Sequence, residues 1–463
     1  MAMNDRKERS QRMFVAAIAA LAGMVVVATE SPAQTLQETV EKAVRTSPTV
    51  GVVASNRQAV DQELRQARGL YLPQIDIRGA VGPEWTDSPG TRARGLGTTQ
   101  ETRIERQIVL QQRLFDGFEA VSEVERQQAR SKSAAERVRE SSEFTGLDAV
   151  EAHVNVLRQR RLVQIAEENV EVHRRLVNRV RQRVSGGAGT TADVAQAQAR
   201  LDQASATLSD TRNGLRDAEA LFIRVVGERP GQLAEAPYPR DALPANLDDA
   251  VNTIAATNPT VAIREADVAA GDAEVDVAES RFYPRLSLEL SGRADRNIDG
   301  VEGSDNDAMA LVVLRWNLYR GGIDVANRRE ALGRLAQAKS ARLVAVRGSE
   351  EELRRSWAAL ESANERTDSL RSAVERNVQV RDAYNQQFEI GQRSLLDLLD
   401  SENELFVSKG RLYTAEAQRV FAGYRVLAVQ GRLGQTLGVA LPAEADASKP
   451  AAQPPDRDWR ISR

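Results

Sequence analysis

From Val194 to Val225 the chain places apolar or small residues at Val194, Ala197, Leu201, Ala204, Leu208, Thr211, Leu215, Ala218, Phe222 and Val225. The spacing alternates between three and four, a heptad seam whose small knobs let helix axes approach closely. Leu398, Leu405, Leu412, Ala415, Ala422, Val426 and Val429 repeat that seam, with Arg419 at one seam position. Each seam follows a glycine-bearing turn, and each turn follows a proline-free stretch rich in Ala, Arg, Glu and Leu: Phe118 to Val184, and about Gly321 to Phe388. The first stretch is 67 residues, about 100 Å as a helix. A helix of that length needs an equally long neighbour. Helices over 190–226 (about 55 Å) and 48–69 (about 33 Å), stacked end to end, supply one.

A different period governs two other segments. Ile75, Ile77, Gly79 and Val81 alternate with Gln74, Asp76 and Arg78, and Leu286, Leu288 and Leu290 alternate with Arg285, Ser287, Glu289 and Ser291. Return partners run from Ile104 to Leu114 and from Ala308 to Leu318, across polar loops at Trp85–Gln100 and Asp295–Asp307. The pattern predicts two hairpins of roughly ten-residue strands, the length that crosses a hydrocarbon layer when tilted.

These elements occur twice. Leu36, Ser47-Pro48 and Leu72-Pro73 return 211 residues later as Leu247, Asn258-Pro259 and Tyr283-Pro284. Gly187, Thr190, Asp193 and Gly227 return 204 residues later as Gly391, Ser394, Asp397 and Gly431, the offset changing because the second polar loop is seven residues shorter. The chain is an internal duplication. The expected divisions are an export signal at 1–33, a first repeat at 34–246, a second at 247–441, and a flexible tail at 442–463. Helix starts are signalled by Ser47-Pro48. Gly391 supplies the left-handed residue that ends one long helix, and Ser394 caps the next.

Composition narrows the class. Arg6, Lys7, Arg9 and Arg12 precede an apolar run from Phe14 to Ala28 and a Ser31-Pro32-Ala33 cleavage pattern, the signature of a secretory leader. No cysteine is present, which removes disulfides, thiol catalysis and an acylated N-terminal cysteine from consideration. The formal charge of −3 over 463 residues, with Arg interleaved with Asp and Glu, describes solvated helix faces rather than a nucleic-acid surface. If such a chain is held in a membrane, strands must hold it. Four spanning strands cannot close a barrel, and lipid does not tolerate open sheet edges. Several chains must therefore share one barrel; two would fill its interior with side chains, whereas three leave a lumen and more would widen it.

On these features the chain resembles the TolC family of outer-membrane channels, over about Leu36 to Gly438. The paired Ser/Asn-Pro helix starts carry the resemblance, with the paired Leu/Tyr-Pro strand entries and Gly391-x-Arg393-Ser394-x-x-Asp397-x-x-Asp400. The resemblance implies a mainly α fold with membrane β structure: a homotrimer with a twelve-stranded barrel, four strands per chain, continued by a coiled-coil periplasmic tunnel. It further implies docking to a periplasmic adaptor and an inner-membrane transporter, with no cofactor and no catalysis. Gly391 to Asp400, followed by Glu402, Asn403, Glu404 and Leu405, most resembles the branch serving type I protein secretion with an ABC transporter. The alternative is the exit duct of a drug-efflux pump, including proton-driven ones. A different class, a periplasmic coiled-coil adaptor, would need no membrane-length strand pairs.

The resemblance places Asp193 and Arg393 in the polar network that holds the tunnel entrance closed, with Phe388 standing where the family often has a tyrosine hydroxyl. It places Asp397 and Asp400 in acidic rings at the constriction, and Gly187, Gly189, Thr190, Gly391, Gln392 and Ser394 at tips that meet the adaptor. Other motifs point nowhere. Gly186 to Thr191 joins two helices and lacks the lysine of a phosphate loop. His153 and His173, the only histidines, lie 20 residues apart on one helix, too far for a local metal pair, and are expected at the surface or in packing.

Overall fold

The computed structural model describes residues 33–449. The expected export signal therefore lies outside the described residues, save its last position. Thr35 and Glu38 form a reciprocal capping box that starts α1 (Leu36–Thr46), and Ser47 caps α2 (Pro48–Gly69) with proline at its first position. Then come β1 (Gln74–Thr86), the short α3 (Pro89–Ala93), β2 (Thr99–Phe115), the 67-residue α4 (Glu119–Ser185) and α5 (Thr191–Val226). The second repeat follows in the same order: α6 (Leu247–Thr257), α7 (Pro259–Glu279), β3 (Arg285–Ile298), β4 (Val301–Arg315), the 67-residue α8 (Ile323–Glu389) and α9 (Leu395–Val429). A short α10 (Leu433–Leu437) and a single 3-10 turn (Ala443–Ala445) follow. Among the described residues no helix is long and apolar enough to cross a membrane.

The long helices take the neighbours that their length demands. Helix α4 packs against both α2 and α5, and α8 against both α7 and α9. Contacts of α4 with α7 and α9 join the two repeats. The heptad seam is buried at Ala197, Ala204, Ala218 and Phe222, and its copy at Leu398, Leu405, Ala415, Ala422, Val426 and Val429. Arg419, the charged intruder, lays its guanidinium 5.0 Å from the ring centre of Tyr238, a cation–π contact that accommodates charge beside the core. The main core gathers Val40 and Ala43 of α1, Ala149, Val150 and Ala152 of α4, Phe222 of α5 and Leu427 of α9. His153 is fully buried beside it, held by Thr39 Oγ1 at 2.9 Å and the Ala234 carbonyl at 2.9 Å. Both histidines are packing residues.

The four strands form one antiparallel sheet in the order β1-β2-β3-β4. Side chains alternate across it. One face carries Ile75 and Ile77 of β1, Ile108 and Leu110 of β2, Leu288 and Leu290 of β3, and Val312 and Leu314 of β4. The other carries Asp76, Glu84, Arg103, Glu105, Glu289, Arg293 and Asp307; Val109 of β2 and Met309, Leu311 and Val313 of β4 add apolar residues there. In a single chain many of the first set are exposed, Ile77 at 82%, as a lipid-facing surface requires.

Three expectations are corrected. The strands are longer than ten residues, at 13, 17, 14 and 15. The segment Asp295–Asp307 is strand rather than loop: Ile298 pairs with Val301, and the reversal is made by Asp299 (φ 56°) and Gly300 (φ 72°) alone. Positive φ at both central positions is the two-residue hairpin that Asp-Gly favours; the polar residues that suggested a loop are the ends of the strands it connects. The third concerns the tail, of which residues 450–463 lie outside the described residues. Its first part is docked, because Glu444 accepts a hydrogen bond from Gln58 at 3.1 Å and the Lys449 carbonyl accepts one from Arg57 at 3.3 Å.

Candidate functional site: the paired turns at the helical tip

The turn joining α4 to α5 is built by glycine geometry and a capping box. Gly187 adopts φ 76°, a conformation costly for residues with a Cβ. Thr190 Oγ1 accepts from the Asp193 amide at 3.2 Å, while the Asp193 carboxylate accepts from the Thr190 amide at 2.8 Å and hydroxyl at 2.9 Å. These bonds from Thr190, with a smaller contribution from Arg183, hold the Asp193 carboxyl below the usual carboxylate range. In the second turn, Gly391 adopts φ 80°, and Ser394 caps α9 by accepting from the Asp397 amide at 3.2 Å. Its hydroxyl donates to Asp397 Oδ2 at 2.8 Å. Gly187, Gly189, Thr190, Gly391, Gln392 and Ser394 are all exposed at the tip.

Beneath the turns lies a small apolar core from all four helices. Leu176, Val177 and Val180 of α4 meet Ala197 of α5, Phe388 of α8, and Leu395, Leu398 and Leu399 of α9. It fixes the two turns side by side. Phe388 is buried within it, and the Arg183 guanidinium lies 4.6 Å from its ring centre while donating to its carbonyl at 3.1 Å. Arg179 donates to Asn385 at 3.0 Å and lies 3.6 Å from Glu389. Thus α4 grips the end of α8 with two arginines one turn apart.

Asp193 and Arg393 do not meet within the chain. Arg393 stacks over Tyr384 at 4.2 Å, donates to Gln387 at 3.0 Å and stands 3.8 Å from Asp397. Asp400 is paired with Arg200 at 3.0 Å. Asp397 and Asp400, the two acids expected at a constriction, therefore each have an arginine of their own chain beside them, which a count of carboxylates alone leaves out. Arg183, Arg179 and Arg200 are the residues that sequence reasoning missed. The only signal for the first two was their spacing of four on the last turns of α4, and no local signal marks Arg200. Among the described residues no cluster of His, Asp and Glu could hold a metal ion.

A family profile described as outer membrane efflux protein matches residues 39–228 and 250–432. The chain is 28% identical over 421 residues to the outer membrane efflux protein BepC of Brucella suis, covering 91% of this chain and 90% of that one. It is 25% identical over 407 residues to the alkaline protease secretion protein AprF of Pseudomonas aeruginosa, covering 85% and 83%. A membrane protein of Pseudomonas aeruginosa of known crystal structure shares the fold with a TM-score of 0.74 at 18% identity, covering 88% of this chain and 92% of that one. With both halves of the duplication matched, the four-stranded sheet and the paired helical hairpins are accounted for: the chain belongs to the outer membrane efflux protein family of TolC-like channels.

Proposed function

We propose that this outer-membrane channel is a homotrimer acting as the exit duct of a type I protein secretion system, opened at its periplasmic tip. The observation that carries the trimer is the sheet: β1 and β4 have no partner strand on their outer edges among the described residues, and neighbouring chains must supply them in lipid. Support for secretion comes from the tip sequence Gly391 to Asp400 and from the likeness to a relative named for protease secretion. The second reading, drug efflux, is favoured by the name of the more similar BepC. Deleting the gene separates them. Loss of a secreted protein from the medium with unchanged drug susceptibility supports secretion, and the reverse result supports efflux.

In this reading the tips Gly187, Gly189, Thr190, Gly391, Gln392 and Ser394 meet a periplasmic adaptor, which joins the duct to an inner-membrane ABC transporter, or to a proton-driven pump under the second reading. The closed entrance is latched by Asp193 and Arg393 of adjacent hairpins. Both groups already have local partners, so the latch exchanges bonds rather than creating them and contributes about 1 kcal/mol or less. Arg393→Ala is expected to raise the open population up to about fivefold, read as single-channel conductance events in planar bilayers. Unchanged events would remove Arg393 from the gate.

Asp397 and Asp400 ring the constriction and favour cations, with Arg200 weakening the contribution of Asp400. Arg200→Ala should increase cation selectivity, and Asp397→Ala with Asp400→Ala should reduce it, both measured as reversal potentials under a salt gradient. If neither variant shifts the reversal potential, the acidic rings are not the selectivity element.

A further inference from the structure

The apolar face of the sheet carries two arginines, and they stand together. Arg106 lies two positions beyond Ile108 toward the Asp299-Gly300 end of the sheet, and Arg296 pairs with Ile104 in the adjacent strand. The two are diagonal neighbours on one face of β2 and β3. Both side chains are exposed, and neither guanidinium has an ion pair or hydrogen bond among the described residues. Their neighbours behave differently: on the opposite face Arg103 reaches Glu84 and Glu105, and Arg293 reaches Asp307.

Depth explains why such a pair is tolerated. From Leu286 and Leu314 up to Gly292 and Ala308 the apolar face of β3 and β4 has no charge; above that level β4 turns polar at Asn306 and Ser304. Arginine on a lipid-facing strand is costly at the bilayer midplane and nearly free at its boundary. Arg106 and Arg296 thus mark the outer boundary of the hydrocarbon layer, where lipid headgroups begin. Glu302, the acid on this face, lies further out and pairs with neither. Because β2 and β3 are the inner strands of the sheet, a neighbouring chain joining at β1 or β4 leaves the pair uncovered.

We propose that Arg106 and Arg296 form a binding site for the phosphate groups of an outer-leaflet lipid. Two guanidinium forks at adjacent positions match phosphate oxygens bidentately, and the apolar rows beneath them, Ile77, Ile108, Leu290 and Ala310, lie where acyl chains of the same lipid would run. The site rests on the sheet lying in the membrane and is independent of what the channel exports.

The test uses the full-length chain in phosphatidylcholine nanodiscs, doped with a bisphosphorylated glycolipid or its dephosphorylated form, with bound lipid counted by native mass spectrometry. Wild type is expected to retain the phosphorylated form and not the dephosphorylated one. Arg106→Gln with Arg296→Gln should lower retention about thirtyfold, and either change alone about fivefold, as the loss of two or one surface charges gives. The double lysine variant should restore part of it. Equal retention of both lipid forms by wild type would overturn the proposal without need of any variant. So would unchanged retention in a double glutamine variant that assembles as wild type. Displacement by millimolar inorganic phosphate as readily as by the lipid would show an anion site rather than a lipid site, and would also overturn it.

Discussion

Replacing Arg57 by alanine is expected to destabilise the chain by about 3–5 kcal/mol, the cost of breaking a buried ion pair from one side. Arg57 is 2% exposed and Asp61, one turn later on α2, is 5% exposed. The two side chains form an ion pair, Arg57 also donates to Ser131 of α4, and Ser131 donates to Asp61 at 2.8 Å. The second guanidinium nitrogen reaches the Lys449 carbonyl. Burial lowers the Arg57 pKa, and the charge of Glu444 opposes that shift. Removing the guanidinium leaves Asp61 charged in the interior and takes away one of the bonds that hold the tail to α2, that of Gln58 to Glu444 remaining. The double change of Arg57 and Asp61 to apolar residues of similar volume should recover most of the loss, since a buried pair rarely outperforms good packing. Chemical denaturation in detergent checks both. A loss below about 1 kcal/mol for Arg57→Ala would place the pair in effective contact with water.

The second large effect concerns Glu143, on α4. It is 3% exposed, accepting from the Leu433 amide at 2.9 Å and the Gly434 amide at 3.3 Å. One turn before it, Arg139 donates to the Gly431 carbonyl at 3.1 Å. These two side chains tie the segment after α9 to α4. Burial pushes the Glu143 carboxyl up to about 6, against the amide bonds from Gly434 and Leu433 and the charge of Arg139. The folded state therefore binds the proton more tightly than the unfolded one. Its contribution is most favourable below about pH 4.5 and is lost as pH rises to about 6, a change of about 2 kcal/mol.

Glu143→Gln should abolish that slope, so the difference in stability between wild type and variant should change by this amount across the window. Glu143→Ala is worse at any pH, because it leaves two buried amide donors without an acceptor at about 1–3 kcal/mol each. Melting curves of the three proteins between pH 4 and 7 test this. Parallel pH profiles for wild type and Glu143→Gln would mean that the carboxyl ionises as freely in the folded chain as outside it.

Much of the architecture was legible because it is local and repeated. A heptad seam, a Ser-Pro helix start or a glycine followed three residues later by a capping Ser or Thr declares itself within a few residues, and finding each twice removed the ambiguity of single occurrences. The second hairpin is less legible for the opposite reason. Asp299-Gly300 is a sufficient turn signal on its own, but the surrounding Asp, Ser and Asn suggested a longer loop. In a barrel, strands continue beyond the hydrocarbon layer, where polar residues on both faces are tolerated. At the tip, the caps Thr190 and Ser394 were readable, whereas the arginines that bind one repeat to the other were not.

By itself the sequence determined the duplication, the two long helices, the left-handed glycines at both turns and the apolar stripe of the sheet, since each depends on residues close enough in the chain to share a period. Only the tertiary structure decided which distant charges meet: Arg200 beside Asp400, Arg183 over Phe388, Glu143 under Leu433 and Gly434, and Arg106 next to Arg296. A charge on a solvated helix face and one destined for a partner two hundred residues away look alike in sequence, because the energy that separates them arises from burial and distance, which only packing sets.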